Sequence, residues 1–459
     1  MTEALRYFRF KGLLQKEGWI LPAYAGVDRN GIVRYLSSKA PGEGAAVEAV
    51  EGFALPGFQN THSHAFQYAM AGLAESHPKG IHDDFWTWRE AMYRCALSVN
   101  PDQMEAIAAM LYSEMLRHGY THVAEFHYLH HDKDGRHYGN PAEMSERIVA
   151  AASTAGIGLT LLPVFYQSSN FGLPFLDKQR RFISKSCEEY FKLFEASSKV
   201  VQNYSRAAIG LSVHSLRAVA LEDIIETAQI GPVGLPFHLH VAEQKKEVID
   251  CLNFCGKRPM QWVLDNLPLN KRFHLVHSTH LDDDELRRLA GSGAGVVLCP
   301  STEGNLGDGI FRMKEFIALG GRWSLGTDSH IGLNPLEEFR MIDYRQRLVT
   351  NARNTADGNA AQYFVNEEVY TGRVANGITR GDHFEPGLPF DAVVYDAAAP
   401  LLEGTSRDSL LPTIVYSGDQ TLCMGTIVSG EWIVRNQKHR SRDEIALNFA
   451  NAMGQLKSR

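Results

Sequence analysis

Five residues in four short motifs stand out for the chemistry they could perform together: His62 and His64 in THSH, His240 in HLHVAE, His277 in LVHSTH and Asp328 in LGTDSH. Residues two apart on a strand point to the same side, so His62 and His64 converge on one point if either faces inward. Alone, an H-x-H pair more often reflects two hydrogen-bonded histidines than a metal site. Adding His240 and Asp328 makes a set of three nitrogens and one oxygen, which suits zinc and leaves room for a water. A cation there would polarise that water and make hydroxide available near neutral pH. Glu243, three residues past His240, sits where a carboxylate can do acid/base work without being a ligand. His277 is placed to stabilise charge developing on the attacking oxygen.

Other ionisable residues read as structural. His238 shares parity with His240 but belongs one layer deeper, as a buried hydrogen-bonded histidine. His280 reads as a loop or capping residue. Asp282, Asp283 and Asp284 begin a helix, where their charge favours its N-terminus. Cys251 and Cys255 lie four apart on an expected helix with no second pair at zinc-ribbon spacing, so they read as free thiols.

The elements that must position these groups repeat along the chain. Eight apolar runs, near residues 53, 120, 157, 207, 235, 272, 294 and 322, alternate with segments of helical character. His62, His64, His127, His214, His240, Glu243, His277, His280 and Asp328 all fall at the C-terminal ends of these runs, the face where barrel enzymes place their sites. The spacing predicts an α/β fold, a TIM-like (β/α)8 barrel over residues 53–385, with a doubly wound open sheet as the alternative. In PDQMEAIAAMLYSEMLRHG, Met104, Ile107, Ala108 and Leu111 recur at helical spacing, Asn100 is placed as N-cap, Pro101 as first helical residue, and Gly119 as the stop. Residues 1–52 and 386–459 carry short strand-like pieces such as DAVVYDA and GTIVSGEWIVRN rather than long helices, and are expected to build one small β-sandwich domain from both termini.

Composition narrows the function classes. Of 459 residues, 44% are hydrophobic and 22% charged, as in an ordinary soluble globular chain. The net charge of −7 argues against broad nucleic-acid or anionic-membrane binding. Six scattered cysteines do not form the framework of a small secreted domain, so a reducing compartment is expected. The opening MTEALRYFRFKGLLQKEGW lacks a signal-peptide pattern, and no run of 18 apolar residues occurs, so a cytoplasmic location is expected.

Through PGFQNTHSH, HLHVAE, LVHSTH and LGTDSH, in that order, the chain resembles the amidohydrolase superfamily, specifically its deaminase-like mononuclear zinc members. HSHAFQYAMAGLAE, FWTWREAMYR, VAEFHYLHHD, VHSLRAV and STEGNLGDGIF add to the resemblance, which runs from about residue 53 to 348. The stretch NGITRGDHFEPGLPFDAVVYDA is similar to the glycine-rich re-entry into the small domain, though degenerate. The resemblance implies one zinc per subunit held by His62, His64, His240 and Asp328, with iron or manganese as other occupants. It makes Glu243, His277 and Asp328 the catalytic groups, and a homodimer the expected assembly. It also implies a small substrate with two carboxylates and a cationic formimidoyl group. Such a ligand needs arginine: Arg217, after the fourth run, and Arg89, in the long connection after the first and contributed by either subunit, can pair with carboxylate in a bidentate manner. Gln67, Tyr128 and His214 would add neutral hydrogen bonds. Other readings are a deaminase of a nucleobase, guanidine or related amidine, and a non-catalytic scaffold, which would be expected to have lost metal ligands.

Overall fold

The structure is a computed structural model that describes residues 5–76, 83–353, 355–378 and 383–456. Eight parallel strands form the central sheet: β1 (Phe58–Ser63), β2 (Tyr120–His127), β3 (Gly158–Phe165), β4 (Leu211–Ser215), β5 (Phe237–Val241), β6 (Phe273–His277), β7 (Gly295–Leu298) and β8 (Arg322–Leu325). They hydrogen-bond in chain order, each beside the next. Residues of β2 and β3 are buried throughout, as expected of strands covered on both faces. All eight runs read from the sequence are strands, and the barrel displaces the open-sheet alternative.

The seam between β8 and β1 closes through side chains and through backbone bonds just past the strand ends, where the Thr327 and Asp328 N–H groups donate to the His62 carbonyl at 3.0 Å. Thr61 Oγ1 donates to the Leu325 carbonyl at 2.7 Å, and Asn60 Nδ2 donates to Thr327 Oγ1 at 2.7 Å. Just beyond them an isolated parallel bridge joins Ser63 to Asp328.

The connecting helices show their local causes. The helix Pro101–Arg117 has Asn100 as N-cap: its side chain accepts from the Gln103 backbone N–H at 2.8 Å, and Gln103 Oε1 accepts from the Asn100 N–H at 3.0 Å. Met104, Ile107, Ala108 and Leu111 are buried against the barrel, and Gly119 takes φ +97° where the chain turns into β2. Asp282 likewise caps the helix Asp283–Ser292.

Both termini build a second sheet of nine strands. Val47–Pro56 pairs antiparallel with Ala392–Asp396 and so joins the N-terminal strands to Cys423–Val428 and Glu431–Arg435. The hydrogen bonds run through all of its strands, and the sheet makes the small β-domain expected of both termini. At its far edge the Val33 N–H donates to the Leu388 carbonyl at 2.8 Å and the Phe390 N–H to the Gly31 carbonyl at 2.9 Å, which folds that edge back onto the chain entering Ala392–Asp396. Phe8, Phe10, Val50 and Phe390 fill its core. Strand Val47–Pro56 runs across residue 52, where the sequence reading divides the domains. Residues 379–382 of the glycine-rich re-entry stretch lie outside the described residues.

The C-terminal segment also carries two helices, Arg407–Ser417 and Arg442–Gln455, in place of the short strands and turns expected throughout. The second buries Ile445 and Ala452 and sets Phe449 5.8 Å from the Tyr68 ring; these three lie at helical spacing on one face. Among the described residues no helix is long and apolar enough to cross a membrane.

Candidate metal centre and active site

The C-terminal ends of β1, β5, β6 and β8 meet at one point. His62, on β1, and His64, one residue past its end, turn their Nε2 atoms to within 3.1 Å of each other. His240, from β5, brings its Nε2 to 3.0 Å from that of His62. Asp328 Oδ1 lies 3.2 Å from His64 Nε2 and 3.7 Å from His62 Nε2. All four side chains are buried.

The hydrogen bonds behind these rings decide which atoms face inward. His64 Nδ1 bonds the Phe126 carbonyl and His240 Nδ1 bonds the His214 carbonyl, each at 2.8 Å. A carbonyl only accepts, so both rings carry their proton on Nδ1 and present an Nε2 lone pair to the centre. Burial, reinforced by the neighbouring imidazoles, pushes the pKa values of His62 and His240 well below the usual range, so the rings are neutral. Converging lone pairs and a carboxylate repel one another with nothing between them. A divalent cation resolves that repulsion, and three imidazole nitrogens with one carboxylate oxygen fit zinc.

Several of these strands end on non-glycine residues in the left-handed region: Ala242 at φ 53°, His277 at 65°, Ser278 at 53° and Asp328 at 47°. Such positions cost about 1–3 kcal/mol each and persist where the surroundings over-determine them. Glu247 shows one such restraint, accepting from the backbone N–H groups of Ala242 and Glu243 at 3.1 and 3.0 Å. It thereby fixes the turn that carries Glu243.

Glu243 Oε1 lies 3.5 Å from His277 Nε2, which is also 3.7 Å from Asp328 Oδ2. Burial pushes the Glu243 carboxyl above its ordinary pKa, countered by His277 and Arg217. Burial alone would lower His277, but Glu243, Glu303 and Asp328 lift it to about 10. A carboxyl biased toward its protonated form thus sits beside a ring biased toward its charged form.

A cleft opens over this centre, lined by His64, Gln67, Arg89, Tyr128, His214, Arg217, His240, Glu243 and Asp328 together with Phe85, Trp88 and Tyr166. Every proposed substrate-contacting residue is therefore brought to one cavity. Arg89 reaches it from the helix Phe85–Ser98 of the same chain, donating to the Tyr166 hydroxyl at 3.0 Å and lying over the Trp86 and Tyr93 rings. Arg217 is 5% exposed, and its buried Nη1 has no hydrogen-bond partner among the described residues. Gln67 Nε2 donates to the Tyr128 hydroxyl at 2.8 Å, leaving Gln67 Oε1 unpartnered. His214 Nδ1 pairs with Ser215 Oγ at 3.0 Å.

The residues read as structural behave so. His238 bonds the Ala375 carbonyl through Nε2 at 2.9 Å, deep in the barrel. The His280 carbonyl accepts from Arg258 at 2.7 Å. His127, grouped by its strand-end position with the residues of the site face, is buried and is not among the residues lining the cleft. Cys251 and Cys255 are unbridged thiols with Sγ atoms 3.8 Å apart.

Sequence reasoning missed Tyr166, which orients Arg89, and Glu303, which lies behind His277. Glu303 falls inside the STEGN motif after β7, and its position at a strand's C-terminal end was the available signal.

The amidohydrolase family profile matches residues 53–433. The chain is 42% identical over 448 residues to the formimidoylglutamate deiminase of Pseudomonas aeruginosa, covering 96% of this chain and 98% of that one. A crystal structure of an amidohydrolase from Brucella melitensis, 39% identical, superposes with a TM-score of 0.91 over 98% of this chain and 99% of that one. A zinc-bound adenosine deaminase structure from Xanthomonas campestris, 19% identical, shares the fold with a TM-score of 0.80 over 98% and 97% of the two chains.

Proposed function

The chain belongs to the amidohydrolase family, and from that premise we propose that it hydrolyses N-formimidoyl-L-glutamate to N-formyl-L-glutamate and ammonia. The observation that carries this reading is Arg217, a buried guanidinium with an unpartnered Nη1, in the same cleft as Arg89 and the histidine–carboxylate centre. A buried guanidinium N–H without an acceptor is costly, and a carboxylate-bearing ligand supplies that acceptor. The 42% identity to a formimidoylglutamate deiminase over nearly the whole chain supports the same substrate. A neutral nucleobase would offer neither guanidinium a carboxylate to pair with.

His62, His64, His240 and Asp328 would hold the metal, which we take to be one zinc per subunit. When bound, the cation acts as a Lewis acid that makes a water nucleophilic near neutral pH. Arg217 and Arg89 bind the carboxylates, while Gln67, Tyr128 and His214 orient the formimidoyl end. Asp328 accepts the proton of the water as it adds to the formimidoyl carbon. His277 stabilises the charge on the new tetrahedral oxygen, and Glu243 delivers a proton to the departing nitrogen. Collapse of the adduct releases ammonia.

This activity would place the enzyme in histidine degradation. A homodimer working in the cytoplasm completes the reading, supported by six unbridged thiols and by the prevalence of symmetric dimers. The decisive experiment measures ammonia release from N-formimidoyl-L-glutamate, guanine and cytosine by protein of known metal content. Turnover of the first alone is expected. Stoichiometric zinc with no turnover of it would defeat the reading.

A further inference from the structure

Two imidazoles of the metal cluster, those of His64 and His240, are held differently from that of His277. His64 and His240 rest their Nδ1–H groups on neutral backbone carbonyls. His277 instead has a carboxylate behind it: Glu303 Oε1 lies 3.5 Å from its Nδ1. That contact is long for a hydrogen bond, but both groups are buried, His277 wholly and Glu303 to 2% exposure. Water does not compete for the pair.

Glu303 is itself held from two further directions. Its Oε1 accepts the Cys299 backbone N–H at 2.9 Å, and its Oε2 pairs with Arg345 Nη1 at 3.2 Å. Arg345, from the helix Pro335–Thr350, also donates to the Pro300 carbonyl, so the guanidinium is anchored to the same turn that carries Glu303. The result is a chain running guanidinium, carboxylate, imidazole, and ending where His277 Nε2 faces Glu243 and Asp328. No backbone carbonyl fixes the His277 ring, and its backbone sits at φ 65°.

We propose that Glu303 is a positioning residue: clamped by Arg345, it holds the Nδ1–H of His277 and so aims Nε2 at the reacting oxygen. This rests on the reading that His277 serves amidine hydrolysis. Glu303 does not touch the cleft or the metal cluster; it acts through His277. A carboxylate here, in place of a carbonyl, fixes both the tautomer and the ring plane and supports a positive ring in the transition state.

The test uses Glu303→Gln, with Arg345→Met as a milder change that leaves the carboxylate in place. Both retain the Cys299 contact, so a folded protein is expected. For Glu303→Gln, kcat should fall by about 10–100-fold, the usual effect of removing an outer-shell partner, with KM within about threefold and zinc content unchanged. Arg345→Met should move in the same direction by less. Independently of turnover, the downfield proton resonance of a buried imidazole N–H should be present in the wild type, absent from His277→Asn, and shifted upfield in Glu303→Gln, whose neutral amide oxygen accepts more weakly than a carboxylate. Unchanged kcat, a rise confined to KM, or a loss of kcat that tracks lost zinc each overturns the proposal. If the wild type itself fails to turn over N-formimidoyl-L-glutamate, the functional reading falls, and the resonance still decides whether Glu303 holds His277.

Discussion

The carbonyl of His62 accepts the backbone N–H of Asp328 at 3.0 Å. These residues sit at opposite ends of the barrel sequence, and both supply side chains to the same cluster. The contact that closes the seam between β8 and β1 therefore also sets the distance between a metal-facing imidazole and the carboxylate. Closing the barrel and assembling the centre are one event.

On the roles proposed for it, Asp328→Ala should remove a metal ligand and the proton acceptor together. Ammonia release is expected to fall by at least about 10²–10⁴-fold, the range for a lost acid/base group alone. Zinc content after dialysis should drop below that of the wild type, read by elemental analysis. Retention of full zinc and substantial turnover would show that Asp328 serves neither role.

Arg217→Met addresses the proposed carboxylate contact. A hydrogen bond to a charged group contributes about 1.5–3 kcal/mol, so KM should rise by about 10–100-fold while zinc content stays constant and kcat changes less. Steady-state kinetics on the purified variant checks this. A kcat effect with unchanged KM would move Arg217 from binding to chemistry.

His122 offers a test of stability against pH, remote from the metal centre. Its Nε2 bonds Thr160 Oγ1 at 2.9 Å, and burial, followed by the charge of Arg206, lowers its pKa from 6.5 to about 3. Thr160 gives its own proton to the Asn376 carbonyl, so His122 must be the donor. Between those values the unfolded chain binds a proton that the folded chain refuses. Stability is then present above pH 6.5 and lost as pH falls toward 3. Urea unfolding at pH 7 and pH 5 should show His122→Gln losing less stability than the wild type, by at most about 2 kcal/mol. Equal losses would mean that His122 titrates normally.

Gly31→Ala probes the fold-back of the terminal sheet. Gly31 has φ +74°, and a Cβ there would lie 1.8 Å from the Ser429 carbonyl oxygen, a backbone atom with little room to yield. Destabilisation of more than about 1 kcal/mol is expected in denaturant unfolding, with no change in zinc bound per folded molecule. An unaltered midpoint would show that this edge is not docked.

Local rules carried much of the architecture. The two-residue period places His62 and His64 on one side of β1, the Asn100–Gln103 reciprocal cap starts its helix where the side chains allow, and Asp282 caps the helix at 283–292. Each depends on atoms within a few residues of one another, so the sequence by itself determined it. The strand ends were legible for the same reason, and they located His240, Glu243, His277 and Asp328. What the tertiary structure decided is the pairing across distance. Asp328 meets His64 only because the seam closes in one register, and a shift of one residue would turn the carboxylate away. Arg89 reaches the cleft of its own chain because Tyr166 and the Trp86 and Tyr93 rings hold it there. Glu303 stands behind His277 because Arg345, from a helix further along, pins it. Partners chosen by packing leave no period or spacing in the chain, so no local pattern announces them.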